Sequence, residues 1–211
     1  MKLFYSPGAC SLVSHVALEE AGAPFEAVRV VLAEGEHLRP EYRAVNPHAR
    51  VPALVTDDGT VTENVAILNY VADRFGSEGS VPRGDPYAAA RCNQLLGWFA
   101  SSVHLAFAQI FRPERFTDDT TAQEAVKAGG GKALERYFAE LDALAGAGWA
   151  AADRFTAADT YLFVFRRWAL RIGADISAHR HWADHAVRVA DRPAVQQAIA
   201  REGLDAPAFL G

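Results

Sequence analysis

Cys10 and Cys92 are the only two cysteines in this 211-residue chain. Cys10 falls where a short apolar run, Leu3-Phe4-Tyr5, gives way through Ser6-Pro7-Gly8-Ala9 to helical spacing. Unpartnered amides and the positive end of the helix dipole gather at such a start. There they lower a thiol pKa from ~8.5 toward ~3.5–7.5. A thiolate at Cys10 would be a nucleophile or a partner for another thiol; the alternative is an inert buried cysteine. Dithiol exchange needs a second cysteine three residues on, and that position is Val13. What remains is monothiol chemistry or the binding of a small thiol.

Three further groups of residues bear on a ligand. In Arg50-Val51-Pro52 the proline either starts a strand or forms a cis bond that turns the Val51 amide and carbonyl toward a ligand. Thr62-Glu63-Asn64 stands at the start of a helix, where carboxylates bind, and Glu63 adds a charge for an amine. A carboxylate binder beside an amine binder suits an amino-acid-like group; ordinary capping by Thr62 and Glu63 is the alternative. His104 lies in an apolar helix, as a packed histidine or a catalyst. His181 and His185, four apart, could share a helix face toward zinc, but no third ligand with suitable spacing accompanies them.

The elements that must position these groups are legible from periodicity. A strand over 2–5, a helix from 11 ended by Gly22 and Pro24, and a valine-rich strand over 25–32 make a βαβ unit with a right-handed crossover. A short helix over 38–44, strands over 51–56 and 60–62 joined by Asp57-Asp58-Gly59, and an amphipathic helix from 65 to 75 stopped by Gly76 complete ββα. Gly76, Gly79, Pro82, Gly84 and Pro86 then mark a linker with nothing suited to packing, and strand signals vanish beyond it. The expected division is an α/β domain over 1–77, a linker over 78–86 and an all-helical domain over 87–211. Within the latter, one helix is expected over 87–111 and a second over 118–145, kinked or frayed at Gly129-Gly130-Gly131. A third begins with the capping-box pattern Thr156-Ala157-Ala158-Asp159 and enters the core as Tyr161-Leu162-Phe163-Val164-Phe165. Shorter helices are expected over 178–191 and 194–202.

Composition bounds the partners. Half the residues are hydrophobic and the net charge is -5, which argues against nucleic acid or an anionic membrane as the main partner. Two cysteines make neither a disulfide framework nor a metal knuckle, and they fit a reducing compartment. The opening apolar run is too short for a signal peptide, and none approaches the ~20 residues of a membrane helix. The expectation is a soluble cytoplasmic protein.

Together these residues resemble the bacterial beta class of glutathione transferases over essentially the whole chain. The resemblance rests on Met1-Lys2-Leu3-Phe4-Tyr5-Ser6-Pro7-Gly8-Ala9-Cys10-Ser11, on Val45-Asn46-Pro47 leading to Val51-Pro52-Ala53-Leu54, and on Thr62-Glu63-Asn64-Val65-Ala66-Ile67. It continues in Phe111-Arg112-Pro113 and in residues 154–163. It implies an α+β/α architecture, a thioredoxin-like domain followed by a helical one, paired as a homodimer. It implies glutathione as co-substrate, with no metal. The cysteinyl part would pair with the Val51 backbone beside a cis Pro52, and Glu63 and Asn64 would hold the γ-glutamyl end. Cys10 would lie against the glutathione sulfur, with His104 reaching in from the helical domain. Two positions depart from the family: Leu105 stands where lysine is frequent, and Asn64 where serine or a small residue is common. Phe107, Phe111 and Trp168 are the expected apolar wall for a small hydrophobic electrophile. The expected activity is conjugation of glutathione, with thiol transfer or peroxidase activity through Cys10. A glutathione-dependent isomerase or dehalogenase, or a non-catalytic binding module, is the alternative.

Overall fold

The structure, a computed structural model, describes residues 1–76 and 79–211. β1 (Lys2–Tyr5), α1 (Ser11–Glu20) and β2 (Glu26–Arg29) form the βαβ half, with Leu3 opposite Ala27 in a parallel pair. α2 (Pro40–Val45), β3 (Ala53–Thr56), β4 (Gly59–Thr62) and α3 (Asn64–Phe75) come next. The sheet order is β2-β1-β3-β4, with β3 antiparallel to both neighbours. This is the expected thioredoxin-like unit. β2 is shorter than expected because its partner β1 ends at Tyr5; the last rung is the Val30 amide donating to the Tyr5 carbonyl. β3 begins two residues late, since Pro52 has no amide proton to give a ladder. The hairpin turn is Asp57-Asp58, braced by the Thr56 hydroxyl, which accepts from the Asp58 amide and donates to the Gly59 carbonyl.

The helical part comprises α4 (Pro86–Trp98), α5 (His104–Phe111), α6 (Thr120–Gly146), α7 (Ala157–Arg171), α8 (Arg180–Ala190), α9 (Pro193–Glu202) and α10 (Pro207–Leu210). The helix expected over 87–111 is interrupted: Phe99–Val103 form a wider π-helical turn between α4 and α5. Such a turn shifts the register of the helix beyond it, and the first residue beyond it is His104. The kink expected at Gly129-Gly130-Gly131 does not occur, and α6 runs unbroken for 27 residues. The reason is packing: a Cβ on Gly130 would lie 2.7 Å from the Ala106 carbonyl oxygen, so a bare backbone there lets α5 rest on α6.

α7 is the hub. Tyr161 through Phe165 are at most 1% exposed, as an all-round apolar helix requires. Its start carries the expected capping box. Asp159 Oδ2 accepts from the Thr156 amide, while Oδ1 accepts from the Ala150 amide and from His185 Nε2 at 2.9 Å. His185 is therefore committed to the core, and His181 lies exposed beside Gly146, so the two do not converge on a metal. Among the described residues no group of three His, Cys, Asp or Glu is placed to hold one, and no helix is long and apolar enough to cross a membrane.

The linker departs from expectation. Its first residues, 77 and 78, lie outside the described residues. Ser80 and Val81 are fully buried. The Ser80 hydroxyl donates to the Leu68 carbonyl and the Ser80 carbonyl accepts from the Ala157 amide, so this short stretch ties α3 to the start of α7. Proline and glycine punctuation signals an irregular backbone but not whether it is buried.

Candidate functional site

A cleft of about 890 Å³ opens between the sheet unit and helices α5 and α7. Its volume lies in the range typical of small-molecule sites. Cys10, Val51, Pro52, Glu63, Asn64, His104, Phe111 and Trp168 all line it. Phe107 does not: it is fully buried, with its ring against Phe111, Phe165 and Trp168, and it backs the wall instead of forming it.

Cys10 occupies the N-cap of α1 and is 8% exposed. Its thiol points to the Val51 carbonyl, 3.7 Å away, next to the cis Val51-Pro52 bond. The pKa lowering expected from a helix start does not prevail. Burial, reinforced by the Glu63 charge, pushes the Cys10 thiol up to about 12. At neutral pH Cys10 is an uncharged S–H, a hydrogen-bond donor more than a nucleophile.

Asn64 turns its side chain inward. Its Nδ2 donates to the Cys10 carbonyl at 2.9 Å and its Oδ1 accepts from the Ser14 hydroxyl, which locks the start of α3 onto α1. Neither Thr62 nor Glu63 caps α3, so the first-turn amides have no side-chain acceptor. Glu63 sits at φ 66 and ψ 125, an unusual conformation for a non-glycine residue that costs about 1–3 kcal/mol and is held by its surroundings. Its carboxylate is exposed to the cleft. Amides at the helix start that could hold an anion and the Glu63 carboxylate that could pair with a cation thus stand side by side, next to a neutral thiol.

From the helical side, His104 meets Trp168 edge-on at 5.2 Å between ring centroids. Burial, then the Arg115 and Arg50 charges, lower its pKa from 6.5 to about 4, so the imidazole is neutral at pH 7. Leu105, beside it, lies at the rim and is 43% exposed. Trp168 has a second function: its Nε1 donates to the Gly8 carbonyl at 2.9 Å. The Gly8 amide donates to Glu202 Oε2 at 2.8 Å, and the other oxygen of Glu202 meets His15 Nδ1 at 3.0 Å. The turn that delivers Cys10 is therefore held through both the amide and the carbonyl of one residue, Gly8. Gly8 has φ +65, a conformation that favours glycine, and a Cβ there would press on the Arg167 guanidinium.

Several lining residues give no functional signal in the sequence. Tyr161 belongs by pattern to the apolar run of α7 and is 1% exposed, yet it borders the cleft; burial holds its phenol well above the usual value, so it stays a neutral donor. Glu202, which does not line the cleft but holds the Gly8 turn, is equally silent, because a carboxylate near the end of a surface helix looks solvated until its partners are known. Arg50, Arg112 and Arg115 also face the cleft. Arg112 lies within the Phe111-Arg112-Pro113 motif, and Arg50 directly before Val51-Pro52.

Comparison with known proteins fits this geometry. Residues 1–73 match the family model of the glutathione S-transferase N-terminal domain, and residues 89–193 that of the C-terminal domain. Glutathione S-transferase GstA of Escherichia coli O157:H7 is 39% identical, across 97% of this chain and all of that protein. A beta-class glutathione S-transferase of Sphingomonas chungbukensis superposes with a TM-score of 0.84 at 37% identity, covering 97% of this chain and all of that one. A sphingomonad glutathione S-transferase solved in complex with glutathione gives 0.83 at 40% identity, with the same coverage. Both domain models in the expected order and whole-length relatives of the bacterial beta class establish that this chain belongs to the glutathione S-transferase family.

Proposed function

We propose that the chain binds glutathione in this cleft and conjugates it to small electrophiles with an apolar body. The observation that carries this is the uncapped start of α3 with the exposed Glu63 carboxylate, in one cleft with the Cys10 thiol. The γ-glutamyl carboxylate would take the free amides of α3 and its ammonium would pair with Glu63. The cysteinyl part would lie along Val51, which brings its sulfur to Cys10. A neutral Cys10 donates a hydrogen bond to the glutathione thiolate, which stabilises the reacting form and orients it for attack. His104 is neutral as well and offers a ring N–H to the same region. Phe111 and Trp168 give the electrophile its apolar surface. The sphingomonad relative was solved in complex with glutathione, which supports the choice of ligand. The family resemblance extends the proposal to a cytoplasmic location and to a homodimer, and sedimentation of the purified protein tests the dimer.

Conjugation of 1-chloro-2,4-dinitrobenzene, monitored by absorbance, tests the activity. Wild type is expected to catalyse it, and Cys10→Ala to retain roughly a tenth of the rate, as loss of one donor to a charged sulfur implies. A wild-type protein that binds glutathione but conjugates no electrophile would defeat the proposal. Any adduct formed with oxidised glutathione should map to Cys10; an adduct that survives in Cys10→Ala would remove Cys10 from the site.

A further inference from the structure

The protein as a whole carries a net charge of -5, yet its cleft is cationic. Six arginines line the cleft against two carboxylates, Glu63 and Glu114. Bound glutathione, with two carboxylates, one ammonium and a thiolate, brings a net charge of two negatives, which leaves positive charge uncompensated. That surplus has a location. Arg50 precedes Val51, while Arg112 and Arg115 sit in the turn after α5, where Pro113–Arg115 form one 3₁₀ turn. Arg112 keeps a loose contact with Glu114 at 3.8 Å. Among the described residues, the Arg50 and Arg115 side chains meet no carboxylate. Burial and the charges of Arg50 and Arg112 weaken the hold of Arg115 on its proton, and the Glu114 charge offsets them only in part, as expected where guanidiniums outnumber carboxylates. Arg171 adds a fourth guanidinium, 5.4 Å above the Phe111 ring.

Like charges held together beside an apolar wall are unfavourable in the free protein, and an anion relieves them. Resting on the glutathione reading above, we propose that the electrophile carries a carboxylate, held by Arg50 and Arg115 while its apolar body lies on Phe111 and Trp168. The γ-glutamyl carboxylate goes to the α3 start and does not compete for these guanidiniums, and the single charge of the glycyl carboxylate cannot neutralise all six cleft arginines. In the transfer itself the glutathione thiolate, having lost its proton to solvent, forms a C–S bond, and the C–Cl bond of an aryl chloride breaks with its electron pair leaving as chloride. The arginines stay outside that exchange; they set which electrophile enters, and they steer anions toward the sulfur.

The test compares 4-chloro-3,5-dinitrobenzoate with 1-chloro-2,4-dinitrobenzene. Each kcat/KM is divided by the rate constant of the uncatalysed reaction with glutathione. Wild type is expected to favour the benzoate by roughly tenfold, as one charge-assisted contact implies, and added salt should erode that preference. Arg50→Gln and Arg115→Gln should each remove most of the preference, acting mainly through KM for the benzoate. Equal or greater acceleration of the neutral compound by wild type would overturn the proposal. So would a preference that survives both substitutions. In either case conjugation continues and the transferase assignment stands. Failure to turn over either compound would overturn both. A second arm uses benzoate and benzamide as inhibitors against the neutral electrophile: benzoate should compete more strongly in wild type and lose that advantage in Arg115→Gln, and equal inhibition by the two in wild type contradicts the proposal.

Discussion

The Trp168 indole nitrogen donates to the Gly8 carbonyl at 2.9 Å, across 160 positions of sequence. The turn that leads into Cys10 is thus fixed by the helical half, with Glu202 on the Gly8 amide. Trp168→Phe keeps an aromatic ring and loses the donor. It should cost ~1–3 kcal/mol in denaturant unfolding and raise KM for glutathione, because the turn before Cys10 loosens. Glu202→Ala strands both the Gly8 amide and His15 and should destabilise by ~2–4 kcal/mol.

Cys10 and His104 make opposite statements about pH. The Cys10 thiol is pushed up to about 12, so alkylation of the folded free protein by iodoacetamide should stay slow through pH 9, while the urea-unfolded chain reacts readily. His104 is lowered to about 4. The unfolded chain then takes up a proton near pH 6.5 that the folded chain refuses until about pH 4, so this histidine makes stability fall as pH drops through that window. His104→Gln should remove that part of the slope in paired unfolding curves.

Glycines 129 to 131 separate by position. Gly130→Ala forces a methyl into the Ala106 carbonyl and should cost ~1–3 kcal/mol. A Cβ at Gly129 or Gly131 meets nothing within 4 Å, so alanine there should stabilise α6 by ~0.5–1 kcal/mol each. Thermal unfolding of the three single variants checks the contrast.

Asp159 gathers the Ala150 and Thr156 amides and His185 in a buried site. Asp159→Ala leaves all three without an acceptor and should lower stability by ~3–5 kcal/mol or abolish soluble expression. Asp159→Asn keeps one acceptor oxygen, for the Ala150 amide or the Thr156 amide but not both, and should cost less than alanine.

The range of each interaction decides how much of it the sequence discloses. Periodicity and punctuation are local, so the βαβ and ββα elements, the capping box and the core run of α7 are legible. The π-helical turn before His104 is not, because Phe99 to Val103 carry no breaker; tertiary packing sets that turn. The glycine triplet reads as a local weakness, and only the approach of α5 makes Gly130 a contact. At the site, Cys10, Val51-Pro52 and Glu63 are legible from residue type and place. The thiol pKa is not, because the helix start is visible in sequence while burial and the Glu63 charge beside it are hidden. By its position Asn64 should face the ligand, but its bonds to Ser14 and the Cys10 carbonyl depend on how α3 docks on α1. Phe107 and Phe111 lie one helical turn apart, and only the packing decides that one is core and the other wall.

Calorimetric titration of glutathione into the wild-type protein and into Glu63→Gln tests the central claim most directly. The expected result is saturable binding at one site per chain, weakened roughly tenfold or more in Glu63→Gln, as loss of a charge-assisted partner implies. Absence of saturable heat with the wild-type protein up to millimolar glutathione would contradict it.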